Sequence, residues 1–186
     1  MKNNLIVLII SFIFFSSLAQ AQTFKFLTKN IEILESGNLI KANEGKAFSL
    51  DGDLEINADK FEYVKDLDVL KSFGNGLALI KSKSLEIEFE NAIFDQKNLT
   101  IKAYGNVIIN QIDKNFKIET NEIIYDQKIN LINSDTKTKL KDNLQNIYIS
   151  DNFIFEVNKN LLKVENLNFK DSNANTLKTQ LAFINT

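Results

Sequence analysis

The sequence predicts an all-β fold, an antiparallel sheet folded over on itself and built from repeats of about 31 residues. Three observations predict it. Nearly every segment after Gln22 alternates apolar and polar residues with period two, the signature of a half-buried strand. Short turn clusters punctuate these segments. The segments also repeat, and each repeat carries the same fault in its alternation.

The strands come first. Leu54-Glu55-Ile56-Asn57-Ala58 and Leu85-Glu86-Ile87-Glu88-Phe89 show the alternation plainly. Between such runs lie Glu35-Ser36-Gly37-Asn38, Asp51-Gly52-Asp53, Gln96-Lys97-Asn98 and Asn158-Lys159-Asn160. That spacing describes many short antiparallel strands joined by hairpins. No convincing amphipathic helix follows Gln22.

The repeat comes next. LEINADKFEY (54–63) aligns with LEIEFENAIF (85–94) and FKIETNEIIY (116–125), then with NIYISDNFIF (146–155). An aromatic closes each: Tyr63, Phe94, Tyr125 and Phe155. Ser72-Phe73-Gly74-Asn75 matches Ala103-Tyr104-Gly105-Asn106, and a less regular copy sits at Ala42-Asn43-Glu44-Gly45.

The fault is a switch of parity. Leu54, Ile56 and Ala58 share one parity, whereas Phe61 and Tyr63 take the other. Leu85, Ile87 and Phe89 give way in the same manner to Ala92 and Phe94, and Phe116, Ile118 and Thr120 to Ile123 and Tyr125. A uniform strand would turn its apolar side to solvent at that point. A bulge or sharp bend restores the facing, so each strand is expected to turn a corner there. Gly45, Gly74 and Gly105 fit two readings, a bend inside a strand or an ordinary hairpin turn. From Leu177 a fifth repeat begins, with Leu177, Thr179 and Leu181 on one parity and Ile184 and Thr186 on the other. It stops at its tenth residue, which fits either a piece of a longer protein or a last strand left as an open edge.

Residues 1–21 read as a secretory signal. Lys2 is followed by an apolar run from Leu5 to Phe15, broken only by Ser11, and by Ala19-Gln20-Ala21 at the cleavage site. The run is short for a membrane span, which takes about 20 residues. Residues 22–186 are then expected to form one exported domain. With no cysteine it gains no disulfide in an oxidising compartment. A net charge of −2 and no basic patch argue against nucleic acid.

Catalytic chemistry finds little to use. Without His there is no Ser-His base, and without Cys or His there is no thiol nucleophile or zinc set of the usual kind. Gly74-Asn75-Gly76 lacks the Lys-Ser/Thr and helix of a phosphate loop. The carboxylate pairs Glu86 with Glu88 and Glu119 with Glu122 lie on strands and read as solvent-facing. Asp51-Gly52-Asp53 reads as a hairpin turn and lacks the remaining ligands of a calcium loop. The protein is therefore expected to be no enzyme and to carry no cofactor or metal. The abundant Phe residues leave two uses open, plain core packing or an apolar trough accessible to acyl chains.

The strand Ile56-Asn57-Ala58-Asp59-Lys60-Phe61-Glu62-Tyr63 and the turn Ala103-Tyr104-Gly105-Asn106-Val107 resemble the OstA-like periplasmic domain. That domain occurs in the lipopolysaccharide-transport proteins LptA and LptC and in the amino-terminal part of LptD. The likeness runs from about Ile31 onward, and Phe24-Lys25-Phe26 with Ile31-Glu32-Ile33 looks most like the entry to the LptD version. Thr136 stands where the turn's Gly would be, so a less regular sheet is expected there. The resemblance implies a V-shaped antiparallel β-jellyroll in the periplasm whose interior holds the acyl chains of lipopolysaccharide. Ile56, Ala58, Phe61, Ile87, Phe89, Ile118 and Ile123 are the lipid-contact candidates. It also implies partners: other Lpt jellyrolls, joined by edge-strand addition, and an outer-membrane assembly partner if the chain is LptD-like. A stand-alone LptA-like bridge and a structural β-repeat without ligand are the alternatives.

Overall fold

The computed structural model describes residues 23–112, 114 and 116–186; the expected signal at 1–21 lies outside the described residues. Those residues form one 13-stranded antiparallel sheet. The strands are β1 (Phe24–Leu34), β2 (Leu39–Ser49), β3 (Leu54–Val64), β4 (Val69–Ile80), β5 (Leu85–Asp95), β6 (Thr100–Gln111), β7 (Phe116–Asp126), β8 (Leu131–Ser134), β9 (Thr138–Lys141), β10 (Ile147–Ser150), β11 (Asn152–Glu156), β12 (Leu161–Lys170) and β13 (Thr176–Asn185). Three single 3₁₀ turns connect some of them, and no α-helix occurs among the described residues.

The chain is a meander in which each leg pairs with the next. β7 pairs along its second half with β8 and along its first half with β9. β11 and β10 continue those two halves, and β12 spans both before pairing with β13. β8 with β9, and β10 with β11, are thus two legs cut in the middle. β1 and β13 are the edges.

The parity switch is the corner. Pairing slips between Asn57 and Lys60, Phe73 and Gly76, Glu88 and Asn91, and Tyr104 and Val107. Leu54, Ile56 and Ala58 are buried before the slip in β3, and Phe61 and Tyr63 after it. Gly74 and Gly105 sit inside strands at this slip, which settles their two readings in favour of a bend. Gly74 has φ 73° with Asn75 at 45°, and Gly105 has φ 80° with Asn106 at 47°. Two successive left-handed residues turn the chain sharply, and Gly and Asn adopt that region most readily. The amides then clamp the bend to the neighbouring strand: Asn75 Nδ2 donates to Asp59 Oδ2 at 2.8 Å and Asn106 Nδ2 to Glu90 Oε1 at 2.5 Å.

The corner divides the sheet into two arms. The first holds residues such as 54–58, 85–89 and 116–120 together with β9 and β10. The second holds residues such as 61–64, 91–95 and 122–126 together with β8 and β11. Their apolar faces meet. Phe89 and Phe94, on one strand but in different arms, lie 6.1 Å apart edge to face. Phe24 meets Tyr63 at 5.5 Å and Phe26 meets Phe61 at 6.0 Å.

One expectation needs correction. Leu181 was placed on the inner parity, but the unslipped pairing of β13 sets it opposite Glu165, with 46 % exposure. Ala182 and Ile184 face the core instead, opposite Val164 and Leu162. The neighbouring strand bends at Asn166, φ 53°, and the switch in β13 falls between Thr179 and Ala182, two residues earlier than the repeat implied.

Candidate functional site

The candidate site is the interior between the arms. Period two on each side of the corner aims one side chain in two inward, and the bulge keeps them inward across the bend. All seven lipid-contact candidates end there. Ile56, Ile87 and Ile123 have no exposure, Phe61 and Ile118 have 1 %, and Ala58 and Phe89 have 4 %. They share one continuous core that also takes in the repeat-closing aromatics Tyr63, Phe94, Tyr125 and Phe155. The structure therefore brings them together along one apolar seam.

That seam is closed. An accessible trough would expose a sizeable part of these side chains, and none exceeds 4 % exposure. Phe89 fills the corner by packing on Gly76, where a Cβ would overlap its ring. The arm tips are also tied across the mouth. Tyr63 Oη donates to Asp68 Oδ1 at 2.9 Å and lies 3.0 Å from the Thr23 hydroxyl, which also meets Asp68. Burial raises the Tyr63 pKa and keeps the phenol a donor. Lys83 Nζ donates to Asn158 Oδ1 at 2.9 Å, and Gln111 Nε2 to Asn160 Oδ1 at 2.9 Å. These cross-arm ties join residues 40 to 75 positions apart, so sequence spacing gave no sign of them. Each is polar and at least partly wet, which makes it cheaper to break than the core behind it.

The mouth is less tightly shut near β13. A cleft of about 490 Å³ opens there between Lys114, Phe116, Leu144 and Tyr148 on the first arm and Ile184 to Thr186 on the second. Burial pushes the Tyr148 phenol up to about 12, helped by its hydrogen bond to Asp142 at 2.9 Å. For Asp142 itself burial opposes the charge, but donors from Asn146, Tyr148 and the Leu144 amide outweigh it and lower its pKa.

The carboxylates offered for catalysis lie elsewhere. Glu88 is exposed and accepts from Asn110 at 3.2 Å. Glu119 is held by Lys117 at 2.9 Å and Lys139 at 3.3 Å, and Glu122 faces Lys102 at 3.6 Å. The Lys117 hydrogen bond is the main reason the Glu119 pKa falls, which keeps it an anion rather than a general acid. Asp51 and Asp53 build turns, accepting from Ser49 and from the Ser82 amide and hydroxyl. Among the described residues no group of three His, Cys, Asp or Glu is placed to hold a metal, and no helix is long and apolar enough to cross a membrane.

Among solved structures, the crystal structure of LptH from Pseudomonas aeruginosa superposes with a TM-score of 0.54 over 70 % of this chain and 93 % of that one. This chain shares its fold. LptH is described as the LptA-homologous periplasmic component of the conserved lipopolysaccharide transport device. Identity is 12 %, so the likeness lies in the folded-over sheet rather than in matched side chains. No family model and no curated protein matches the sequence.

Proposed function

We propose that this protein is a periplasmic conduit for lipopolysaccharide, whose acyl chains pass between the two arms. The observation that carries the reading is the single, largely apolar seam running the length of the folded-over sheet, from Phe24 in β1 to Leu162 and Val164 in β12. A sheet of this size could bury the same residues in a flat sandwich; the crease instead leaves one continuous line along which the arms can part. The fold likeness to LptH supports it. Each methylene moved from water into such a seam is worth about 0.8 kcal/mol, which is why an amphiphile needs a covered route. Ile56, Ala58, Phe61, Ile87, Phe89, Ile118 and Ile123 would contact the chains once the arms open. The protein supplies no energy for transport, so the push comes from a partner.

The edges suit joining to other jellyrolls. Among the described residues β1 and β13 each present one unpaired ladder, with Leu27, Ile31 and Ile33 exposed on one and Leu177, Leu181 and Phe183 on the other. Exposed apolar edge strands are aggregation hazards unless a partner strand covers them. Within this reading an LptD-type amino-terminal domain is supported by the entry Phe24-Lys25-Phe26 with Ile31-Glu32-Ile33, and a stand-alone bridge by the likeness to LptH. A photo-crosslinker at Phe183 separates them: a bridge captures another copy of itself or another jellyroll there, whereas an LptD-type domain is recovered covalently continuous with an outer-membrane barrel.

A structural sheet without ligand is favoured by one observation, the closed seam. In-cell photo-crosslinking decides between the two. Benzoylphenylalanine replacing Phe89, inside the seam, is expected to capture lipopolysaccharide, and the same probe replacing the exposed Glu88 is not. Capture at neither position, in a folded and exported protein, would reject the conduit.

A further inference from the structure

The seam is not apolar throughout. Just inside the crease on the first arm, neighbouring strands place one inward residue each in a row. From β3 to β6 that row reads Ala58, Gly76, Phe89 and Val107. It continues through Thr120, Thr138 and Ser150 on β7, β9 and β10, and then returns to Leu167 on β12. The three hydroxyl residues are 9 %, 1 % and 1 % exposed. Ser134 on the second arm, 3 % exposed, faces them.

Most of these hydroxyls satisfy one another. Thr120 Oγ1 lies 3.1 Å from Ser134 Oγ and 2.8 Å from Thr136 Oγ1, and Thr138 Oγ1 donates to Thr120 Oγ1 at 3.1 Å or to the Thr136 carbonyl at 2.9 Å. Ser150 is different. Its Oγ is fully buried beside Thr138 in the ladder and has no hydrogen-bond partner. A corner needs none of this: β4 and β6 turn with left-handed Gly and Asn, β3 and β5 without them, and all four keep that inner row apolar. A buried hydroxyl left unpaired costs free energy that an alanine there would avoid.

We propose that this row is a polar station that recognises an oxygen-bearing group, a hydroxyl or carbonyl, carried on the hydrocarbon chain of the cargo. Ser150 offers a donor and an acceptor, and Thr138 and Thr120 lie next to it on the same inward face. The inference rests on the conduit reading, since the station becomes reachable only when the arms part. The route to it starts at the cleft near β13. Phe116 and Tyr148 line that cleft, and Thr120 and Ser150 follow them inward on the same strands. Four residues of strand from Phe116 to Thr120 set the station about 13 Å inside the mouth. A group near the middle of a long chain would meet it there.

Binding of octadecanoic acid and of 12-hydroxyoctadecanoic acid to the purified protein, measured by calorimetry, tests this. The protein is expected to prefer the hydroxylated acid by about two- to tenfold, the scale of one net hydrogen bond. Thr138→Val with Ser150→Ala is expected to bind both acids equally, and Ser150→Ala alone to lose most of the preference. Ser72→Ala removes the other fully buried, unpartnered hydroxyl among the described residues, which lies on the second arm away from the row, and is expected to keep the preference. Equal binding of both acids by the unaltered protein overturns the station and leaves the conduit standing. So does a preference that survives in Ser150→Ala and the double variant, or one that Ser72→Ala also abolishes; Ser150 is then a packing residue only. Binding of neither acid overturns the station together with the conduit.

Discussion

β2 to β7 each cross the crease unbroken over 11 or 12 residues, whereas the next two legs are cut into β8 with β9 and β10 with β11, pieces of four or five residues. Of these, β3 to β7 turn through register slips, with Gly-Asn in the left-handed region at two of the bends. The broken legs turn by stopping. Thr136 cannot take the place of Gly without strain, so pairing lapses across Asp135–Lys137, and its hydroxyl joins Thr120 and Ser134 instead. The same bend is thus made once by backbone freedom and once by side-chain hydrogen bonds. The second solution puts polar groups inside the seam, where the first keeps it dry.

Truncating the core should affect both regions equally, because the arms share one interior. Phe94→Ala in the unbroken region and Phe155→Ala in the broken one each remove a ring with 0–1 % exposure. Each is expected to cost about 3–5 kcal/mol in chemical denaturation, with a single transition retained. A second transition seen only with Phe155→Ala would show that the broken legs unfold by themselves.

The corners should separate the regions. Gly76→Ala drives a Cβ into the Phe89 ring and is expected to cost about 1–3 kcal/mol. Asn106→Ala loses both the left-handed preference and the clamp on Glu90, for about 1 kcal/mol, while Asn106→Gly restores the backbone freedom and recovers part of it. Thr136→Gly is the converse: freedom is gained and the hydroxyl network is lost, so no stabilisation is expected from it in thermal melting.

How much of this could be read from the chain depends on which rule set each feature. Ile56, Ala58, Phe61, Ile87, Phe89, Ile118 and Ile123 were placed inward by alternation and its repeated fault, because period two and burial are local properties. Tyr63, Phe94, Tyr125 and Phe155 followed from the repeat. Leu181 was misplaced because its facing depends on the pairing with β12, not on its own repeat. The closed mouth was invisible for a related reason: Gln111 meets Asn160, and Thr23 meets Tyr63, only because the folded sheet brings the arm tips together. Ser150 did stand in the inner register of its repeat, in line with Ala58, yet a lone Ser in a strand carries no sign of lacking a partner.

The smallest effect expected is at alkaline pH, and it belongs mainly to the later strands. Burial, with the nearby charges of Asp53 and Asp126, pushes Tyr125 up to about 12, and Tyr148 is pushed to about 12 by burial and Asp142. An unfolded tyrosine titrates near 10, so the folded state favours the neutral phenol. The contribution is whole below about pH 10 and is lost as pH rises toward the folded values. Tyr125→Phe and Tyr148→Phe are each expected to flatten that alkaline limb in melting curves, and a replacement that leaves it unchanged would remove that tyrosine from the account.

In a conduit of this kind a seam closed at rest opens between its arms to admit a chain. The absence of cysteine allows one pair of spin labels to test it directly. Lys97→Cys labels an exposed turn at the tip of the second arm, and Ile112→Cys an exposed turn at the tip of the first. Pulsed electron resonance should give one short distance without lipid and a population several ångströms longer once lipopolysaccharide is bound. A distance that stays the same while lipopolysaccharide is demonstrably bound would contradict opening of the arms and place the lipid outside the seam.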